Sequence, residues 1–403
     1  MARTAAGFAG GTRLSDHLSV SVSARVYPRE AVRAALRSLG RDSRRRRDLP
    51  AEVMVCHVIA MALFRTVSAR EVLRCLVDGL RWISPDLPVR VSGKSSISRA
   101  RTRLGAAPFL ALRDSCVAPL ARPGTPGAWY RGLHLVAFDG SSLNLPDEAR
   151  NREAFGLPGS SRGSSAFPQA RVTAMVELGT HAAFAWHAGP LAESEAEQAE
   201  RLLGHLSSGM LVLADRYCTG FPLWSRAAAT GADLLWRFKR NMKFPVVEAL
   251  DDGSWRSVIR GSGRDRRRSR GELPVRIVAC RIEGGDETTM LATTLLDHRA
   301  APAAELAALY HERWEIETAY DEVKTHILGP GAALRSKTPD LVFQEIDGLM
   351  LAHYAVRRLI HEAAEKAGED PDRLSFVHAV RVMRRRIINP GAFPPRGPAG
   401  RRD

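Results

Sequence analysis

Residues 302–328 read PAAELAALYHERWEIETAYDEVKTHIL. Leu306, Leu309, Ile316, Tyr320, Val323 and Ile327 recur at spacings of three, four and seven, the period of a helix with one buried face. A second stripe, Tyr310, Arg313, Glu317 and Lys324, lies at offsets of 3, 7 and 14. On a uniform 3.6-residue period those four fit an arc of about 60° at the edge of the apolar face. An acid flanked by an Arg, a Lys and a Tyr suits a metal-bound phosphodiester, the acid on metal and the donors on phosphate oxygens. The competing reading is a surface pair between Arg313 and Glu317. With the cation N-terminal to the acid, that pair stabilises a helix by only ~0.2–0.5 kcal/mol. Helix physics alone leaves both readings open.

The whole chain narrows the choice. Its 403 residues are enough for two or three domains with real cores, and 45% apolar with 26% charged residues is a globular composition. A net charge of +15 and a pI near 10.3 point to a polyanionic partner. Only six of the 59 basic residues are Lys, a bias that coding composition explains as readily as phosphate chemistry. Five scattered cysteines without a C-x-x-C argue for a reduced compartment and against a zinc site. No run of about 18 apolar residues and no signal pattern occur. The expectation is a cytoplasmic protein with no membrane partner, nucleoid-associated if the polyanion is DNA.

Residues 1–125 read as an all-α domain. Helices are expected over 28–39, 51–64 and 68–80, the last with Ser68 as cap and Glu71 at the capping-box position. Residues 92–105, SGKSSISRARTRLG, read as a polar turn, a capped helix and a Gly stop. That helix carries Lys94, Arg99 and Arg103 and is the best candidate for a helix laid against DNA, or else an exposed basic helix of the domain. A further helix over 108–120 and a Pro/Gly linker at 122–127 close the domain. The arginine block 44–47 is either a phosphate contact or a solvated loop.

From Leu133 the period changes. Leu133 to Phe138 reads as a buried strand that delivers Asp139 at its C-terminal tip. Residues 146–168 read as a flexible loop, then 169–177 and 182–187 as strands about a Gly179-Thr180 turn. A helix over 193–206 precedes the strand Met210 to Ala214, which ends in Asp215. A helix over 222–230 and a strand over 233–238 follow. Residues 240–298 read as a β-rich insertion with a basic loop at 264–270, either a DNA contact or merely mobile. A long helix over 341–367 precedes a tail, 389–403, expected to be disordered.

A lone Asp after a strand is usually a cap or turn residue. Two of them plus a helix acid framed by Arg and Lys are harder to dismiss. Three gathered carboxylates repel one another unless hard cations neutralise them. Two Mg²⁺ ions about 3.5–4 Å apart, with Mn²⁺ as substitute, clamp the attacking and leaving oxygens of a phosphoryl displacement.

The run Tyr310-x-x-Arg313-x-x-x-Glu317-x-x-x-x-x-x-Lys324 resembles the Y-R-E-K signature of the insertion-sequence-four group of DDE transposases. FDGSSLNLPD around Asp139, LADRYCTGF around Asp215 and RSKTPDLVFQEIDGLMLAHYAVR downstream are similar to that family too, and the resemblance spans most of residues 30–365. It implies an α/β, RNase H-like (retroviral integrase-like) catalytic domain over 130–370, with the β-rich insertion before its last catalytic helix. It implies Asp139, Asp215 and Glu317 as a metal-binding triad. Arg313 and Lys324 would contact phosphates at the transposon end, supported by Tyr310. The activity implied is metal-dependent cleavage and strand transfer in cut-and-paste transposition. Its partners would be double-stranded DNA, the element's terminal inverted repeats and the target, with a homodimer in the active complex. The alternatives are a metal-dependent nuclease that does not join and a DNA-binding protein without catalysis.

Overall fold

The computed structural model describes residues 25–43, 49–83, 90–160, 163–164, 167–216, 220–238, 242–261, 272–281 and 288–385. The basic runs 44–47 and 264–270 and the tail 389–403 lie outside the described residues.

Between Arg29 and Cys116 the described elements are helices: α1 (Arg29–Ser38), α2 (Ala51–Leu63), α3 (Ala69–Ile83), α4 (Lys94–Leu104) and α5 (Ala107–Cys116). Helix α3 starts where expected, with the Ser68 hydroxyl accepting from the Glu71 N–H at 3.2 Å. Helix α5 stops at Cys116 instead of running to 120. These helices belong to a compact unit that also takes in residues 343–359 and 375–385. Gln344 is tied to α4: Arg101 Nε donates to its Oε1 at 2.7 Å, and its Nε2 donates to the Arg101 and Gly105 carbonyls at 3.0 and 2.8 Å. The Tyr27 hydroxyl donates to the Leu351 carbonyl at 2.7 Å. A Cβ on Gly348 would lie 2.7 Å from Val58 Cγ1, so only glycine lets that backbone pack so close to α2.

The second unit, Val117–Val342 with Ile360–Leu374, is mixed α/β and built on one large sheet. Its strands are β1 (Trp129–Tyr130), β2 (Leu133–Asn144), β5 (Gln169–Glu177), β6 (Ala183–Pro190), β7 (Met210–Ala214), β8 (Asp233–Phe238), β9 (Glu248–Ala249), β10 (Trp255–Arg260), β11 (Glu272–Arg281) and β12 (Thr288–Thr293). The order is β6-β5-β2-β7-β8-β12-β11-β10-β9, with β1 paired to β2 off that path. β2, β7 and β8 are parallel and the other pairings antiparallel. The expected β-rich insertion therefore continues the main sheet through the β8–β12 pair. Residues 146–168, expected as a loop, contain α6 (Ala149–Phe155) and a small ladder of β3 (Gly159–Ser160) and β4 (Gly163–Ser164). Helix α7 is only Glu195–Glu200, followed by a 3₁₀ turn at Leu203–His205, and α8 is Phe221–Ala228. Trp224 of α8 meets Trp236 of β8 edge to face at 5.1 Å, within the apolar core under the sheet.

Residues 303–328 are one helical run that changes pitch: α9 (Ala303–His311), a 3₁₀ turn (Glu312–Trp314), α10 (Glu315–Asp321) and a π-helical segment (Glu322–Leu328). All six residues of the expected apolar stripe are buried. Tyr310 and Arg313 are buried as well, whereas the uniform helix puts them at the edge of the buried face. The 3₁₀ turn winds faster and the π segment slower than an α-helix, so a single 3.6-residue period does not hold along the run. The last described helices are α11 (Pro339–Ala367) and α12 (Phe376–Arg385).

Candidate active site

Residues 135–138 are buried and apolar on both faces, inside the sheet between β5 and β7. The parallel register runs from His134↔Met210 to Phe138↔Ala214 and stops there. Asp139 and Asp215 are the next residue on each strand. Strand β2 itself does not end at Asp139, as its sequence implies, but continues to Asn144 because β5 goes on pairing with it as far as Gln169. What ends at Asp139 is the β7 side of the ladder. There the sheet grows outward in opposite directions, β5 and β6 one way and β8 the other. Open α/β sheets bind ligands at such a switch point, outside the carboxyl ends of the strands.

The pitch-changing helix is fastened across both acid-bearing strands. The Tyr310 hydroxyl donates to the Ala214 carbonyl at 3.3 Å, next to Asp215. The Tyr320 hydroxyl donates to the carbonyls of Asp139 at 2.7 Å and Val172 at 3.1 Å. Its start is held by the insertion: Asp252 accepts from the Ala303 N–H at 2.9 Å and from the fully buried Arg276 at 2.6 Å.

Arg313 lies among the acids. Its Nη2 is 3.5 Å from Glu317 Oε1, and its guanidinium carbon is 5.8 Å from the Tyr310 ring centroid. Burial alone would push Arg313 down, but Tyr310, Asp215, Asp139 and Glu317 reverse that and hold it above its ordinary value. Burial pushes the Asp139 carboxyl up to about 6, against the pull of Arg313 and the Gly140 N–H, and Glu195 and Glu317 add to the push. Burial also raises the Tyr310 phenol. Asp215 Oδ1 is buried and has no hydrogen-bond partner among the described residues. Arg237 Nη1 stands 3.9 Å from it, beyond hydrogen-bonding reach. Glu317 is half exposed, and Lys324, also exposed, donates from Nζ to Ser141 Oγ at 3.2 Å. The Arg313–Glu317 pair is thus one edge of a larger charge cluster that also reaches Asp139 and Asp215.

A buried carboxylate oxygen without a donor, beside a second carboxyl that burial keeps from ionising easily, fits a hard cation with oxygen ligands. Arg313 is a cation whose charge couples to all three acids.

Sequence reasoning misses some of the neighbours. Glu195 reaches the site from the first turn of α7, which a capping box between Ser194 and Glu197 starts. A Cβ on Gly140 would lie 2.6 Å from Glu195 Cγ, so the glycine after Asp139 makes room for this fourth carboxylate. The Ser194-x-x-Glu197 pattern is the available signal. Arg237, an arginine inside the apolar run LLWRF, is another. The expected DNA-facing residues Lys94, Arg99 and Arg103 belong to the helical unit and are each exposed on α4, which buries Ile97, Ala100, Arg101 and Leu104. Arg103 also donates to the Leu49 carbonyl at 3.4 Å.

Residues 131–355 match the family model described as transposase DDE domain, and residues 17–113 match that described as insertion element 4 transposase N-terminal. This chain belongs to the IS4 family of DDE transposases. The transposase InsG for insertion sequence element IS4 of Escherichia coli (strain K12) is 30% identical over 381 residues, 93% of this chain and 84% of that protein. A cryo-EM structure of a piggyBac transposase synaptic complex with hairpin DNA has a TM-score of 0.49 at 10% identity, over 93% of this chain and 81% of the other. As a DDE transposase this protein is a polynucleotidyl transferase of DNA transposition, and its DDE domain implies dependence on a divalent metal. No helix among the described residues is long and apolar enough to cross a membrane.

Proposed function

We propose that Asp139, Asp215 and Glu317 hold two Mg²⁺ ions and that this transposase uses them to cut and join double-stranded DNA at the ends of its element. The observation that carries the reading is the buried Asp215 oxygen, which has no hydrogen-bond partner among the described residues and lies one residue past the end of the β2–β7 pairing, as Asp139 does. Metal bound there would polarise phosphate oxygens and make water or a DNA 3′-hydroxyl nucleophilic near neutral pH. The α/β sheet with acids at its switch point supports the RNase H-like reading, with residues 130–370 as the catalytic domain and 1–125 as the DNA-reading one. Tyr310 and Tyr320 orient the helix against the two strands. Arg313 balances the acids before metal arrives and then offers its donors to the scissile phosphate. Lys324, steadied by Ser141, offers a compact charge to a neighbouring phosphate.

The exposure of Lys94, Arg99 and Arg103 on α4 supports contact with the terminal inverted repeat, and the +15 charge supports DNA as the partner at the nucleoid. Two copies would act as a homodimer, one at each end of the element, and capture target DNA in cut-and-paste order.

The test is to incubate the protein and Mg²⁺ with a plasmid carrying the element's ends and to map cuts and joined products. Single Ala variants of Asp139, Asp215 and Glu317 are expected to bind the ends and to lose cleavage and joining. Substantial cleavage by Asp215→Ala removes that residue from the site, and cuts without joined products favour a nuclease. Replacing Lys94, Arg99 and Arg103 together is expected to weaken end binding and flatten its salt dependence, since fewer neutralised phosphates release fewer counterions. An unchanged salt slope assigns α4 to the fold alone.

A further inference from the structure

Away from the acids around Arg313, a second set of donors converges in the catalytic unit. His181 Nε2 lies 3.4 Å from Glu315 Oε2 and 3.2 Å from Asp372 Oδ1, and the three ligand atoms all lie within 4.8 Å of one another. Asp139, Asp215 and Glu317 do not form so tight a set. The three donors come from separate segments: the turn between β5 and β6, the first residue of α10, and the 3₁₀ turn Pro371–Arg373.

We propose that His181, Glu315 and Asp372 bind one zinc-class divalent ion. In a tetrahedral site with Zn–N and Zn–O bonds of ~2.0–2.2 Å, ligand atoms stand roughly 3.3–3.6 Å apart. The two edges that meet at the histidine are 3.4 and 3.2 Å, so both already have close to tetrahedral length, and the third is within 4.8 Å. An imidazole with two carboxylates selects Zn²⁺ or Co²⁺ over Mg²⁺ and Ca²⁺, which prefer oxygen alone. The side chain of His181 is more than nine-tenths buried, while Asp372 is 39% exposed, leaving a side open for a water as fourth ligand. An outer donor is in place as well, because the Gly179 N–H bonds Glu315 Oε2 at 2.5 Å and fixes that carboxylate's orientation. The scattered cysteines play no part, so cysteine spacing gives no sign of the site.

Glu315 sits two residues before Glu317, where the 3₁₀ turn becomes α10. An ion on Glu315 ties that junction to the β5–β6 turn and to residue 372. Its effect would be to position the Glu317 helix. A histidine that only forms an ion pair with two carboxylates is the competing reading, and it predicts no zinc response.

The experiment uses full-length protein stripped of metal, titrated with Zn²⁺ alone and read by bound-metal analysis and melting temperature, with Co²⁺ absorption reporting tetrahedral geometry. Wild type is expected to retain one Zn²⁺ per chain after dialysis and to melt higher with it. Asp139→Asn, which alters only the other site, is expected to keep that one Zn²⁺ per chain and the same rise in melting temperature on adding it, whatever its metal-free melting temperature. His181→Asn suits the test because His181 has a φ of 55° and Asn tolerates that left-handed backbone. It is expected to lose more than about a hundredfold in Zn²⁺ affinity, since even an outer partner is worth ~10–100-fold. Should His181→Asn fail to fold, Asp372→Asn, at an exposed position, decides. Retention of Zn²⁺ by the His181 or Asp372 variant, or no Zn²⁺ response in wild type, overturns the proposal. Either result leaves the Asp139, Asp215 and Glu317 reading untouched.

Discussion

Asp139 is a carboxyl that the fold prefers to keep protonated, since burial lifts it from 3.8 to about 6. For a group raised on folding, the stabilising contribution is complete below its ordinary value and is lost as pH rises through about 6. A shift of about two units is worth roughly 3 kcal/mol. The metal-free transposase is therefore expected to lose melting temperature between about pH 4 and 6, and Mg²⁺ is expected to restore it at pH 7. Asp139→Asn removes the buried charge. That variant should melt higher than wild type without metal at pH 7, show little of the acid-side slope, gain nothing from Mg²⁺ and fail to cut DNA. Thermal melts across pH, with and without Mg²⁺, check this. A variant that keeps the wild-type slope would show that burial of Asp139 is not its source. The strain is not visible in the sequence, which marks Asp139 only as an acid after an apolar run. Its cause is the burial that folding brings, to which Glu195 from α7 and Glu317 from α10 add, against the opposing pull of Arg313 and the Gly140 N–H.

At the scale of an element, residues 302–328 show what a periodic pattern carries and what it misses. The apolar stripe is legible because six side chains share a buried face whichever helical pitch joins them. The second stripe is legible in composition but not in depth, because the 3₁₀ turn at Glu312–Trp314 rotates Tyr310 and Arg313 inward relative to Glu317. The end of strand β2 escapes the sequence for a related reason. Its polar half, Asp139 to Asn144, pairs with only one neighbour on the path through the sheet, so its apolar period fades although its ladder does not. The π segment makes Lys324 the sharper probe of function. Lys324 is exposed and bonds the Ser141 hydroxyl at the surface, so its removal costs little stability. If it holds a phosphate, losing a charged hydrogen bond of ~1.5–3 kcal/mol slows cleavage roughly ten- to a hundredfold. Lys324→Ala is expected to keep the wild-type melting temperature and lose that much rate at saturating DNA. Wild-type cleavage would remove this face of the helix from the phosphate-holding wall.

Across the whole molecule, the two compact units carry buried titratable groups that respond to acid in opposite senses. In the helical unit His57 is fully buried in α2, and neither ring nitrogen has a hydrogen-bond partner among the described residues. Burial, helped by Arg101, depresses it from 6.5 to about 3. The folded unit therefore holds it neutral while the unfolded chain protonates it below 6.5. Its contribution to stability is complete above pH 6.5 and falls, by at most ~1.4 kcal/mol per pH unit, as pH drops toward 3. Over the same interval Asp139 gains a proton that the folded catalytic unit prefers. Acidification from pH 7 to 5 should thus loosen the helices around His57 while the metal-free strands around Asp139 hold or tighten. Amide hydrogen exchange, with protection factors corrected for intrinsic rates, reads the two units separately. His57→Leu gives up no hydrogen bond and removes an unsatisfied polar ring of similar size, worth ~1–3 kcal/mol. It is expected to raise protection of residues 51–63 at pH 7 and to abolish their acid sensitivity, leaving the strands unchanged. Acid sensitivity in α2 that survives His57→Leu would place its origin in another group of the helical unit.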